Sequence, residues 1–244
     1  MIPIRDANPT SRTPWVTISL IVANVIVFFT EPLSRSDPEQ ARYFFCNAAI
    51  PFEVAHGHQL PATTLICPNK GIWLSILYSM FLHGGLLHIA GNMLYLWVFG
   101  NNVEDQLGPV RFIVFYLGAG LAATYAQTYV NTDSITPMIG ASGAIAGVLG
   151  AYLLMFPRAR VTNLVFLFLF ITFVDLPAVV VLVFWFVLQV FQGVGSVTGP
   201  EGGVAYMAHV GGFVGGMLLL FILRGSRRPR PVRPATPDYY DPYA

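Results

Sequence analysis

Apolar residues in this chain run in long blocks instead of alternating with charge. Blocks long enough to cross about 30 Å of hydrocarbon occur near residues 15–30, 86–103, 112–130, 141–156, 176–195 and 204–223. They predict an all-α, polytopic membrane protein with six transmembrane helices. Two further apolar runs, 71–82 and 163–174, hold about a dozen residues each, which is short for a span. These are expected to lie in the interface or to dip partway into the bilayer. The blocks divide the chain into an N-terminal segment (1–13), a six-helix membrane domain (14–224) and a tail (225–244).

Composition agrees with this division. Hydrophobic residues make up 55% of the chain and charged residues 10%, which excludes a soluble globule with a charged surface. The net charge of +1 carries no sign of nucleic-acid binding, because that needs Lys and Arg clustered on one folded face. The position of the charge is more informative. Arg5 and Arg12 precede the first span, Arg111 follows the second, and Arg158 and Arg160 follow the fourth. Arg224, Arg227, Arg228, Arg230 and Arg233 follow the sixth, while the loops after spans three and five contain no Lys or Arg. The positive-inside rule then puts both termini in the cytoplasm. Arg35, Arg42 and Lys70 in the long first loop run against it. The first block is read as a retained span, since FFTEPLS after it lacks the small-x-small pattern of a signal-peptide cleavage site. Short basic termini and the lack of a visible organelle presequence suggest a bacterial plasma membrane.

Cys46 and Cys67 both fall in the first loop, outside the cytoplasm in this topology, where they are either bridged or two unpaired thiols. The tail is rich in Pro and Arg and is expected to be disordered, its arginines serving orientation and anionic-lipid contact.

Polar groups inside hydrocarbon raise the cost of insertion, so the few present are functional suspects. Span two opens with His83, His88 and Asn92, span four with Ser142 and span six with His209. His88 and Asn92 are four apart and share one helix face. Any one of these groups could be structural glue between helices. Together, at similar depth near the non-cytoplasmic ends of their spans, they suggest a site. A serine hydroxyl becomes a competent nucleophile when a base takes its proton, and neutral His suits that task near pH 7. Ser142 and His209 meet the requirement. Asn92, His88 and the free N–H groups at the start of the span-four helix can receive the developing oxyanion.

Small residues surround this set. Gly143, Gly147 and Gly150 lie on one side of span four, and Gly212 and Gly216 lie on one side of span six, three and seven residues beyond His209. Such rows let two helix backbones approach closely, which would bring His209 to Ser142. Gly140 would let the chain turn sharply into the helix, placing the hydroxyl at its N-terminus.

These motifs resemble those of the rhomboid intramembrane serine proteases over roughly residues 14–224. GASG (140–143) is similar to the family's G-x-S-G, AHVGGFVGG (208–216) to its A-H-x-x-G-x-x-x-G, and HIAGN (88–92) to its H-x-x-x-N. The resemblance implies Ser142 as nucleophile and His209 as general base and then acid, a dyad with no acidic third member. It implies His88, Asn92 and the Ser142 amide as oxyanion stabilisers, with no cofactor. Substrates would be transmembrane proteins of the lipid bilayer, cleaved in or beside a helix through an acyl-enzyme. GNNVEDQLG (100–108) is similar to the family segment in which Glu104 would have a structural role, and His83 is assigned to packing of the preceding loop. Two departures stand out. Ala146 occupies a position where some members carry an aromatic against the catalytic His, so His209 is either held less rigidly or held by a bulky group from elsewhere. The Trp-Arg pair found in the first loop of some members is not evident. The alternative is a non-catalytic rhomboid-like protein that binds membrane helices, against which the presence of both Ser142 and His209 argues. A metal centre on His83, His88 and His209, or on His56 and His58, has no H-E-x-x-H motif to support it, and no metal is expected.

Overall fold

Helices account for most of the chain, in a computed structural model that describes residues 1–32, 38–167, 170–198 and 204–224. Strand β1 (Ile2–Asp6) leads into helix α1 (Trp15–Thr30). The first loop folds into four short helices, α2 (Pro38–Asn47), α3 (Pro51–His56), α4 (Pro61–Ile66) and α5 (Ile72–Ser79). Next come α6 (Leu86–Tyr95), a π-helical turn (Leu96–Gly100) and α7 (Asn101–Leu107), followed by α8 (Pro109–Val130) and α9 (Ser142–Met155). A hairpin of β2 (Arg160–Leu167) and β3 (Phe170–Pro177) joins α9 to α10 (Ala178–Thr198), and α11 (Tyr206–Leu223) closes the bundle. By length and composition α8 and α11 can cross a membrane, while α1, α9 and residues Ala178–Val194 are shorter apolar helices.

Helix α9 is the axis of the structure. It is apolar all round, as a helix surrounded by others must be, and its run from Gly143 to Tyr152 is buried without a break. Small residues set how closely its neighbours lie. A Cβ on Gly212 would strike the carbonyl of Gly143, and one on Gly216 would strike the backbone of Gly147. Helix α11 therefore lies on α9 backbone to backbone, the approach that small-xxx-small rows allow. Gly211 and Gly215, about 100° around α11 from that row, seat it on Ala126 and Ala122 of α8.

The all-α expectation requires correction. Strands β1, β2 and β3 form a three-stranded antiparallel sheet in that order, with Ile2 opposite Leu164 and Arg160 opposite Pro177. The described residues of the run 163–174 are thus extended, and the N-terminal segment pairs with β2. Its residues explain this, since Val165, Phe166, Ile171, Thr172, Phe173 and Val174 are β-branched or aromatic and suit a pleated surface. Asp175 and Pro177 lie at the end of β3. Asp175 accepts the Thr162 hydroxyl at 2.6 Å, and the helix begins at Ala178. The sheet is tied to the bundle through Asp6, whose carboxylate accepts the Tyr152 hydroxyl and, at 2.8 Å, the Asn102 amide. The tail expected at 225–244 lies outside the described residues.

Two carboxylates fix the remaining geometry. Glu104 accepts the backbone N–H groups of Val16 and Thr17 at 3.0 and 2.7 Å and the Thr17 hydroxyl at 2.8 Å. It thereby satisfies donors that the first turn of α1 leaves free. Within the first loop, Glu53 and Lys70 form a fully buried ion pair at 2.6 Å. Lys70 also donates to the Phe45 carbonyl at 2.8 Å, and Thr63 donates to Glu53. Lys70, an exception to the charge bias at the sequence level, is therefore internally neutralised. Cys46 and Cys67 are joined in a disulfide beside this pair, so the loop is a stapled unit.

Candidate active site

Ser142 is the first residue of α9, and the chain reaches it through Gly140 at φ +121°. That backbone region favours glycine, and a Cβ there would also press on the His88 ring. The turn is held from outside: Gly140 donates its N–H to the carbonyl of Ser79 at 2.9 Å, and the Ser79 hydroxyl accepts the N–H of Ala49 at 2.6 Å. The stapled loop thus sets the angle at which the chain enters α9. Ser79 carries no motif signal and could not be singled out from the sequence.

His209 lies in the first turn of α11, and its Nε2 stands 2.8 Å from Ser142 Oγ. The packing of Gly212 and Gly216 on Gly143 and Gly147 holds the two helices at that separation. Trp185 of α10 lies against the imidazole, with ring centroids 5.9 Å apart and planes at 36°, and Tyr206 meets it edge-on at 6.4 Å. The ring missing at Ala146 is supplied by Trp185 from α10, a helix that carries none of the site motifs. The other ring nitrogen, Nδ1, faces Gln189 Oε1 at 2.6 Å.

His88 and Asn92 share the face of α6 that borders the same space. Gly84 donates its N–H to His88 Nδ1 at 3.3 Å, which leaves the proton on Nε2, pointing toward Gly140. Asn92 Nδ2 is buried and donates to nothing among the described residues. All four polar groups line one cavity of about 570 Å³, bordered also by Gln127, Ser134 and Trp185. His83 does not line it. Its ring is buried edge-on against His88 at 5.1 Å, and Nδ1 lies 3.1 Å from the Phe81 carbonyl. His56 and His58 sit apart, around Phe52 in the first loop.

Glu31, just past α1, anchors this corner by accepting the His83 N–H at 3.0 Å. Burial, only partly offset by that hydrogen bond, pushes its carboxyl up to about 7 from an ordinary 4.5. The folded protein thus holds this proton more tightly than the unfolded chain. The resulting stabilisation is complete below about pH 4.5 and is lost as pH rises through about 7. Glu31→Gln keeps an acceptor for the N–H but has no charge to bury. In detergent it should melt close to wild type near pH 5 and above it near pH 8. A variant that melts below wild type at the higher pH would show that the carboxylate itself is needed.

A family model described as Rhomboid domain matches residues 70–226. The mitochondrial presenilin-associated rhomboid-like protein of Bos taurus is 33% identical over 143 residues, 58% of this chain and 33% of that protein. RHOMBOID-like protein 7 of Arabidopsis thaliana is 27% identical over 224 residues, covering 86% of this chain and 66% of that protein. Rhomboid protease GluP of Bacillus subtilis (strain 168) is 39% identical over 103 residues, 39% of this chain and 20% of that protein. The chain thus spans about a third of the length of the mitochondrial relatives it matches. Relatives with mitochondrial names give no support to a bacterial plasma membrane in particular. A serine and a histidine at hydrogen-bond distance, seated by glycine rows in a chain whose family model covers more than half its length, place this integral membrane protein in the rhomboid family.

Proposed function

We propose that the chain is an intramembrane serine protease that cleaves transmembrane proteins in or beside their membrane-spanning helices. The observation that carries this reading is the 2.8 Å approach of Ser142 Oγ to His209 Nε2 in a cavity that His88 and Asn92 also line. Serine and histidine from different helices meet in a geometry that proton transfer requires. A pure helix-binding protein has no use for it.

In the proposed reaction His209 Nε2 takes the Ser142 proton as Oγ attacks the scissile carbonyl. The resulting oxyanion is received by donors already in place. These are His88 Nε2–H, Asn92 Nδ2–H and the Ser142 N–H, which has no partner within its helix at the first position. His209 then gives the proton to the leaving amine, and an acyl-enzyme remains on Ser142. Water, deprotonated by the same nitrogen, attacks the ester, and the proton returns to Ser142 as the acid product leaves. Gln127 and Ser134 give the cavity polar walls along which water can reach the acyl group. The motifs that carry this scheme all lie within the matched region, and one relative is by name a rhomboid protease.

The proposal includes six spans with both termini on the cytoplasmic side. The arginine distribution supports that orientation. It puts the sheet of β1, β2 and β3 on the inside and the cavity toward the outer face, where water is at hand.

The test is labelling by a fluorophosphonate probe in detergent, which needs no substrate. Wild type should label, and Ser142→Ala should not. Folded wild type that resists an accessible probe would refute an activated serine. Asn92→Ala removes one oxyanion donor of several. It should slow turnover with 10² to 10³ as a ceiling and leave folding intact. An undiminished rate would remove Asn92 from the oxyanion site.

A further inference from the structure

The contact at His209 Nδ1 comes from a residue outside every motif of the site. Gln189 lies on α10 within a run that is otherwise apolar from Ala178 to Val190. A lone amide in such a helix raises the cost of insertion unless it finds a partner. Its partner is the imidazole, at 2.6 Å through Oε1. Trp185, one turn earlier on the same helix face, covers the ring. Helix α10 therefore presents two side chains to His209, one to the face of the imidazole and one to its far edge.

A neutral imidazole carries one N–H. If the proton sits on Nε2, that nitrogen donates toward Ser142 and has no lone pair with which to take the hydroxyl proton. If it sits on Nδ1, the Nε2 lone pair faces the hydroxyl and the base is ready. A carbonyl oxygen at Nδ1 accepts a hydrogen bond only in the second case. We propose that Gln189 is a positioning residue for the dyad, its carbonyl oxygen holding His209 as the Nδ1–H tautomer with Nε2 aimed at Ser142. The inference rests on the serine-protease reading above. Gln189 neither takes nor gives a proton. When Nε2 accepts the Ser142 proton, the Nδ1–H bond to Gln189 persists, and the oriented amide dipole favours the imidazolium that forms. Serine-protease triads place a buried carboxylate in this role. Among the described residues the cavity lining contains no Asp, Glu, Lys or Arg, so a carboxylate would find no charged partner there, at a cost that a neutral amide avoids.

Among the described residues, the titratable groups facing His209 are His88 from α6 and Tyr206 from α11, beside the Ser142 hydroxyl from α9 and the uncharged Trp185 and Gln189 from α10. Two substitutions separate positioning from packing. Gln189→Leu keeps the bulk and loses the acceptor. Fluorophosphonate labelling and kcat should fall about 10²-fold, the lower end of what a well-held general base contributes, with KM for a transmembrane substrate little changed. Gln189→Glu restores an acceptor. It should recover most of the rate, with the acid limb of the pH profile moved to higher pH, because a carboxylate favours the protonated ring while the base must be neutral to act. A Gln189→Leu enzyme at wild-type rate, beside an inactive Ser142→Ala, would overturn the positioning role and leave the protease reading standing. Wild type that neither labels nor cleaves would overturn the protease reading instead. Histidine-selective ¹⁵N NMR of wild type, with the His209 signals identified by their loss in His209→Gln, reads the tautomer without any activity or any Gln189 variant. A predominant Nδ1–H form is expected, and a predominant Nε2–H form would refute the proposal.

Discussion

Ser142→Ala is expected to bring cleavage of a transmembrane substrate to background, and His209→Ala to lower it by about 10⁴-fold, the scale on which loss of one member disables a serine-protease assembly. Both effects follow from the shared hydrogen bond at 2.8 Å. Without the hydroxyl no acyl-enzyme can form. Without the imidazole the hydroxyl keeps its proton and is a poor nucleophile. The double variant should be no worse than Ser142→Ala, because residues acting as a unit are not additive. Ser142 is partly exposed at a helix start, and loss of one oxygen there leaves the packing of Gly143, Gly147 and Gly150 untouched, so melting in detergent should stay near wild type. Measuring turnover and melting together therefore separates chemistry from folding. Wild-type turnover by Ser142→Ala would end the mechanism outright, and wild-type turnover by His209→Ala would require another base.

The parts legible in the sequence are those governed by local period and by backbone proximity. Helical spacing puts His88 over Asn92, and glycine rows mark where α9 and α11 touch, so Ser142 and His209 could be paired without a structure. Features that depend on distant pairing were not legible. The run 163–174 is apolar and of intermediate length, and nothing within it announces that Ile2 will lie opposite Leu164. Periodicity alone does not separate short apolar helices from strands. Lys70 runs against the charge bias in the sequence, and only the fold buries Glu53 against it. Trp185 and Gln189 are illegible for a related reason. An aromatic and a single amide in an apolar helix look like core, and only the rotation of α10 shows that both face His209. Ala146 leaves open whether His209 is held less rigidly or by a bulky group from elsewhere, and nothing local to it names Trp185 of α10.

Gly216→Ala should damage the protein out of proportion to one methyl group. In an ordinary helix the change stabilises by about 1 kcal/mol, since alanine is the better helix former. Gly91 on α6 has open space where a Cβ would go, so Gly91→Ala should show that ordinary gain in melting temperature. At Gly216 the new Cβ would meet the Cα, carbonyl carbon and carbonyl oxygen of Gly147. Backbone atoms cannot rotate aside as a side chain can, so the helices must separate. Overpacking of this kind costs about 1–3 kcal/mol and sometimes more, which outweighs the propensity gain. Activity should suffer more than stability. His209 is two turns back on the same helix, and moving α11 off α9 by about 1 Å would draw Nε2 away from the hydroxyl, a misplacement able to cost about 10²-fold in rate. Gly212→Ala, which would strike the Gly143 carbonyl one turn from the dyad, should be at least as severe. If Gly216→Ala melted and labelled like wild type, the backbone contact would be slack, and the position of His209 would have to be set by α10 through Trp185 and Gln189 instead.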